Sequence, residues 1–135
     1  DILANCEGIK ERCTPAASTL FDVRDAKKLG VEDARALHSK VAQVLYVAKR
    51  VRPECLTAVA FLTTRVQSPD IDDQAKLNRL LGYLKGSRDR GITLRIGAHI
   101  GVKAYIDAAY GVHAESGKSH TGCVVMVGTG PVFVK

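Results

Sequence analysis

Residues able to do chemistry are few in this chain, and their spacing is loose. Asp107 follows an alternating segment, residues 102–106, and stands where a strand gives way to a glycine-containing loop. A carboxylate there can bind a metal ion, or simply cap a turn. A lone carboxylate holds Mg²⁺ poorly, and two-metal chemistry needs several acids. Downstream of Asp107 there is only Glu115, in a Gly/Ser-rich loop, so the sequence contains at most part of a metal site. Asp72-Asp73 opens a helix just after Asp70, which reads as complementation of the helix dipole rather than as a metal pair in a hairpin. His120 and Cys123 are three residues apart and could share a metal, but a loop histidine beside a strand cysteine is the simpler reading. None of Cys6, Cys13, Cys55 and Cys123 forms a C-x-x-C pair. There is no G-x-S-x-G elbow, no P-loop and no G-x-G-x-x-G turn.

The cations are better organised. Residues 74–95 contain Lys76, Arg79, Lys85, Arg88, Arg90 and Arg95 against a single acid, Asp89. Residues 40–52 contain Lys40, Lys49, Arg50 and Arg52 with no acid. At helical spacing Lys76, Arg79 and Tyr83 share one stripe, which could follow a phosphate backbone or be a solvated helix face. Over the whole chain 20 Lys and Arg face 14 Asp and Glu, a net +6 that favours a polyanionic partner. Aromatics make up 5% with no Trp, which argues against a base-stacking platform for single strands.

The elements that must position these groups change character near residue 90. Residues 1–31 give weak signals, punctuated by Thr14-Pro15 and Gly30, and read as an irregular or partly helical lead-in. Leu37, Val41, Val44, Leu45 and Ala48 recur at helical spacing, with Glu32 and Asp33 in front and Lys49 and Arg50 behind. Arg52-Pro53 ends that helix and can begin another, which is apolar almost all round through Val66 and therefore buried. A third helix starts at the Asp70–Asp73 cluster, carries Leu77, Leu80, Leu81 and Leu84, and stops at Gly86. The three should share a core of Leu45, Leu56, Val59, Phe61, Leu77, Leu80 and Leu84. From residue 91 the period becomes two: strands are expected at 92–96, 102–106, 123–127 and from 131, the last two joined tightly through Gly128-Thr129-Gly130. The expected class is α+β, a helical part over residues 1–90 followed by antiparallel strands over 91–135.

With 135 residues, 46% apolar and 25% charged, the chain suits one globular domain or two small pieces. That composition excludes a collagen, a disordered tail or a disulfide scaffold. No apolar run approaches the ~18 residues of a membrane span, so no membrane role is expected. The cysteine pattern, without a preceding leader, points to free thiols in a reducing, intracellular setting, cytoplasm or nucleus. The chain begins at Asp1 and ends in an apolar strand-like run, as a piece of a longer polypeptide would.

Several stretches together resemble a known family. Leu37-His38-Ser39-Lys40-Val41-Ala42-Gln43-Val44-Leu45-Tyr46, then Lys49-Arg50-Val51-Arg52-Pro53-Glu54, and Leu80-Leu81-Gly82-Tyr83-Leu84-Lys85-Gly86, resemble the Pol polyprotein of copia-type retrotransposons just after the polymerase palm. Ala104-Tyr105-Ile106-Asp107-Ala108-Ala109-Tyr110 and Ser119-His120-Thr121-Gly122-Cys123 continue the resemblance, in order and spacing, to about residue 135. It implies that the helical part is similar to the thumb and connection region of a reverse transcriptase. The strand part would be the opening of an RNase H-like sheet, truncated here. Asp107 would be the first metal-binding carboxylate of the RNase H site, with Mg²⁺ as its ion in the complete parent enzyme. Thr121-Gly122 would form the turn into the second strand, near the hybrid backbone. Lys49, Arg50, Arg52, Lys76, Arg79, Lys85, Arg88 and Arg90 would face an RNA/DNA hybrid or DNA duplex, and the rest of the polyprotein would be a partner. The Tyr-x-Asp-Asp hairpin is absent, and the later RNase H acids would lie beyond Lys135; many relatives have Ser at the position of Ala109. The resemblance therefore implies a parent RNA-directed DNA polymerase with RNase H activity, of which this piece alone is inactive. The alternative is a domesticated or degenerate, non-catalytic basic binding or structural module. From a different class, a small α+β protein without a nucleic-acid role fits the composition too.

Overall fold

In the computed structural model, residues 2–3, 6–96, 101–111, 117 and 119–135 are described. Helix α1 runs Val31–Arg50, a short 3₁₀ turn Pro53–Cys55 leads into α2, Leu56–Arg65, and α3 spans Ile71–Gly86. Strands β1 (Val102–Ala109), β2 (His120–Val127) and β3 (Gly130–Val134) follow. The class is α+β. The chain separates into two compact units, residues 1–90 and 91–135.

The first unit is built on the apolar stripes. Leu37, Val41, Val44 and Ala48 of α1 meet Ala58, Val59, Phe61 and Leu62 of α2 and Leu77, Leu80, Leu81, Tyr83 and Leu84 of α3, all buried. Leu45 and Leu56, expected at the centre, are only partly buried at its margin. Each fully buried Leu, Val or Phe side chain contributes roughly 1.5–3 kcal/mol, so this stripe dominates the unit's stability. Pro53 opens the 3₁₀ turn because a first-turn N–H needs no intrahelical partner. Asp70 caps α3: its carboxylate accepts from the N–H groups of Asp72 and Asp73 at 3.0 Å, and Asp73 returns the bond to the Asp70 N–H at 3.1 Å. This reciprocal pair satisfies orphan donors of the first turn. Both carboxylates are buried, and Arg65 at the end of α2 pairs with Asp73 at 3.2 Å.

The lead-in carries no helix among its described residues; it is a strap laid over α3. Cys6 and Leu20 anchor it in the core, Phe21 meets Phe61 edge-on, and an isolated bridge joins Lys28 to Asp70. Between the anchors the backbone of residues 10–12 crosses α3 at Gly82, where the Arg12 N–H donates to the Gly82 carbonyl at 3.2 Å. A Cβ on Gly82 would collide with the Lys10 carbonyl.

In the second unit β1, β2 and β3 lie in that order, both pairs antiparallel. Gly128-Thr129 is the hairpin loop between β2 and β3, and Gly128 adopts φ +61°, a left-handed conformation that glycine tolerates without a steric cost. A bulge at Val132 shifts the register between Val125 and Met126, and Pro131 sits on an edge strand, where its missing N–H is tolerated. Residues 92–96 are not a strand. The Arg95 N–H donates to Thr129 Oγ1 and its carbonyl accepts from the Thr129 N–H, both at 3.1 Å. The alternation there is satisfied by docking onto one turn, with Leu94 and Ile96 left exposed, instead of by a ladder. All of β1 is exposed as well.

Two expectations follow. A Gly→Ala change inside a helix normally gains about 0.5–1 kcal/mol. At Gly82 the added methyl meets backbone that cannot yield without shifting the strap, an overpacking cost of roughly 1–3 kcal/mol, so Gly82→Ala should lower the denaturation midpoint. Gly86→Ala, whose methyl would meet Glu11 Cβ at 3.3 Å and the Arg12 carbonyl at 3.6 Å rather than collide with backbone, should cost less than Gly82→Ala. Native-state hydrogen exchange should also be uneven. Amides of Ala104, Ile106, Val124 and Val125 should exchange faster than those of Leu80 and Leu81, because the strand residues have little apolar cover. Slowest exchange in the strands would contradict this.

Candidate nucleic-acid interface

The basic block of α3 is neither an open rail nor a solvated face, because the strap has taken up most of its heads. Lys76 lies over the Phe61 ring, 4.7 Å from its centroid, pairs with Asp72 at 3.0 Å and donates to the Asp22 carbonyl. Arg79 donates through Nη2 to Thr14 Oγ1 at 2.8 Å. The Lys85 ammonium donates to the carbonyls of Glu7 and Ile9 at 3.1 and 3.2 Å. Backbone carbonyls and one hydroxyl of the strap thus occupy donors expected to face phosphate oxygens. Tyr83, expected in the same exposed stripe, is buried.

Arg52 departs furthest from expectation. It is 4% exposed, stacks on the Tyr83 ring at 5.3 Å and donates to the Ser87 carbonyl at 2.9 Å and to Ser87 Oγ. Its Nε pairs with Glu54 at 2.7 Å, and Tyr83 Oη donates to the same Glu54 oxygen at 3.2 Å. A guanidinium this far from water is held by its partners and is not presented to a duplex. Burial alone would lower the Arg52 pKa; the bonds to Glu54 and Tyr83 outweigh it and raise the value instead. Burial likewise pushes the Glu54 carboxyl up, and its bonds with Arg52 and Tyr83, with its own backbone N–H, bring the net value below the usual range. Beside them, burial pushes the Cys55 thiol up to about 12, so it stays protonated and unreactive at neutral pH.

Of the cations expected to face a duplex, Lys49 and Arg50 at the end of α1 and Arg88 and Arg90 after α3 are exposed. Arg50 stands over the exposed ring of Tyr46, 5.4 Å from its centroid. Tyr46 was missed as a site residue; its i, i+4 spacing to Arg50 was the available signal.

In the second unit Asp107 lies inside β1, not after it, because the ladder continues to Ala109↔His120. Thr121-Gly122 is correspondingly within β2 rather than a turn: Asp107 faces Gly122 and Ala108 faces Thr121. Asp107 is exposed, and its Oδ1 accepts the Ala108 N–H at 2.9 Å. Glu115 lies outside the described residues. Among the described residues no group of three or more His, Cys, Asp or Glu could hold a metal ion, so they do not by themselves fit a two-Mg²⁺ site. None of Cys6, Cys13, Cys55 and Cys123 is in a disulfide, and no helix among the described residues is long and apolar enough to cross a membrane.

The Arg52–Glu54–Tyr83 cluster has a pH signature. Glu54's folded pKa is depressed, so its contribution to stability is present above the unfolded value and is lost as pH falls through the folded one. Glu54→Gln should therefore flatten the acid limb of a stability–pH curve; an unchanged limb would show that the cluster does not couple to folding.

No protein-family model and no solved structure matches the chain. Over 135 residues it is 31% identical to the Retrovirus-related Pol polyprotein from transposon RE2 of Arabidopsis thaliana. The match takes in 98% of this chain and 9% of that protein, so the chain spans less than a tenth of its relative's length. Similarity sustained from end to end at this identity supports a retroelement origin, with the chain corresponding to one segment of a Pol polyprotein.

Proposed function

We propose that this chain is the part of a copia-type Pol polyprotein that links reverse transcription to RNA removal. Residues 1–90 act as a thumb- and connection-like piece against the template–primer duplex, and residues 91–135 open an RNase H-like domain. The observation that carries the reading is the end-to-end similarity to a retrotransposon Pol polyprotein. The net charge of +6 and the exposed Lys49, Arg50, Arg88 and Arg90 are consistent with a phosphate-backbone partner. In this reading Asp107 contributes one carboxylate to a metal site completed by acids elsewhere in the polyprotein, and the piece alone performs neither polymerisation nor RNA cleavage.

Duplex binding tests it. Binding to an RNA/DNA hybrid or DNA duplex should be sequence-independent, and its log–log salt dependence should have a slope of about −0.9 per phosphate neutralised on B-DNA. Lys49→Ala with Arg50→Ala should flatten that slope by about one to two units. Lys76→Ala with Arg79→Ala should change it less, because those heads already have partners within the unit. Binding that ignores salt would overturn the duplex reading.

A further inference from the structure

Where the strap passes the end of α3 it leaves a cavity of about 270 Å³, walled by Glu11, Arg12 and Cys13 on one side and Tyr83, Ser87 and Arg90 on the other. The geometry points to this cavity as an oxyanion seat that takes a phosphate group, with Arg12 and Arg90 as its two charged jaws. The inference rests on the duplex-binding reading above only for the source of that phosphate.

A helix C-terminus ordinarily repels anions, because its last carbonyls carry partial negative charge. Here part of that charge is offset. Ser87 Oγ donates to the Tyr83 carbonyl at 2.6 Å, and the Ser87 carbonyl accepts from Arg52 Nη1 at 2.9 Å and from the Arg90 N–H at 3.0 Å. Buried Arg52 sits directly behind, stacked on Tyr83, with Glu54 as its counter-charge. The cavity therefore meets a helix end at which the Tyr83 and Ser87 carbonyls are already occupied. Both jaws are exposed, and Arg90 Nη1 lies 3.5 Å from Tyr83 Oη in the cavity wall, a contact that restrains the guanidinium beside it. Arginine forks suit phosphate oxygens better than water-exposed ammonium groups do. Glu11 is the one acid in the wall and opposes the anion. The jaws come from opposite ends of residues 1–90, so the seat exists only because the strap crosses α3 at Gly82.

Cys13 supplies a readout in the intact chain. It is exposed in the wall of the cavity, Cys6 and Cys55 are buried, and Cys123 in the other unit serves as an internal reference. Alkylation of Cys13 and Cys123 by neutral iodoacetamide should be followed by mass mapping, with inorganic phosphate, with a short DNA duplex, and with chloride at matched ionic strength. Phosphate or duplex should slow Cys13 several-fold relative to Cys123, chloride should not, and Arg12→Ala with Arg90→Ala should abolish the protection. Glu11→Gln should strengthen it, which keeps the test informative if the arginine variants lose stability. Protection by phosphate alone would establish the seat for free phosphate. Protection by duplex would assign it to the nucleic-acid backbone, and the arginine pair should then flatten the duplex salt slope by about one unit. Salt-dependent duplex binding with Cys13 unprotected in both arms would overturn the seat and leave the duplex reading standing. Phosphate protection without duplex binding would do the reverse.

Discussion

The first unit depends on one close crossing, the strap backbone over α3 at Gly82. Two backbones can approach there because no Cβ intervenes, and the Arg12 N–H donates to the Gly82 carbonyl of the helix. Everything the strap does follows from that contact. It holds Cys6 and Leu20 in the core, carries carbonyls to Lys85 and Lys76, and brings Arg12 to within reach of the end of α3. Hydrogen bonds to charged donors are stronger than neutral ones, so they add to the apolar anchors in holding an extended segment in place.

The same crossing redistributes the chain's positive charge. Cations on α3 would form a continuous basic face on an isolated helix; in the folded unit their heads point into strap carbonyls, an aromatic ring and an acid. Arg52 turns inward to stitch the 3₁₀ turn to the end of α3 through Ser87, Tyr83 and Glu54. Of the cations expected to face a duplex, those left exposed lie at two helix ends, Lys49 with Arg50 and Arg88 with Arg90, where the negative end of each dipole already favours cations. A polyanion would therefore meet clusters rather than a stripe.

The second unit is organised differently. Among the described residues no apolar layer covers β1, so local hydrogen bonding and the Gly128 turn set the sheet's register more than packing does. Asp107 inside β1, opposite a residue with no side chain, is accessible from solvent and has its nearest partner in its own neighbour's N–H.

Sequence by itself determined the elements whose signals are local. The three helices, the break at Arg52-Pro53, the acid-rich start of α3 and the Gly128 hairpin all follow from apolar period, capping chemistry and glycine conformation, which act within a few residues. The charge of the α3 block was legible too, but its disposition was not. Whether Lys76 or Arg79 faces solvent, a phosphate or a carbonyl depends on a segment more than fifty residues away, and an extended strap has no periodicity to announce its route. The burial of Arg52 and the acid pair Asp70–Asp73 was hidden for the same reason: a charged side chain goes inside only when partners from other elements meet it there. Residues 92–96 show the converse. Their alternation is that of a strand, but a ladder needs a neighbour in register, and tertiary structure offered them only one turn to bind.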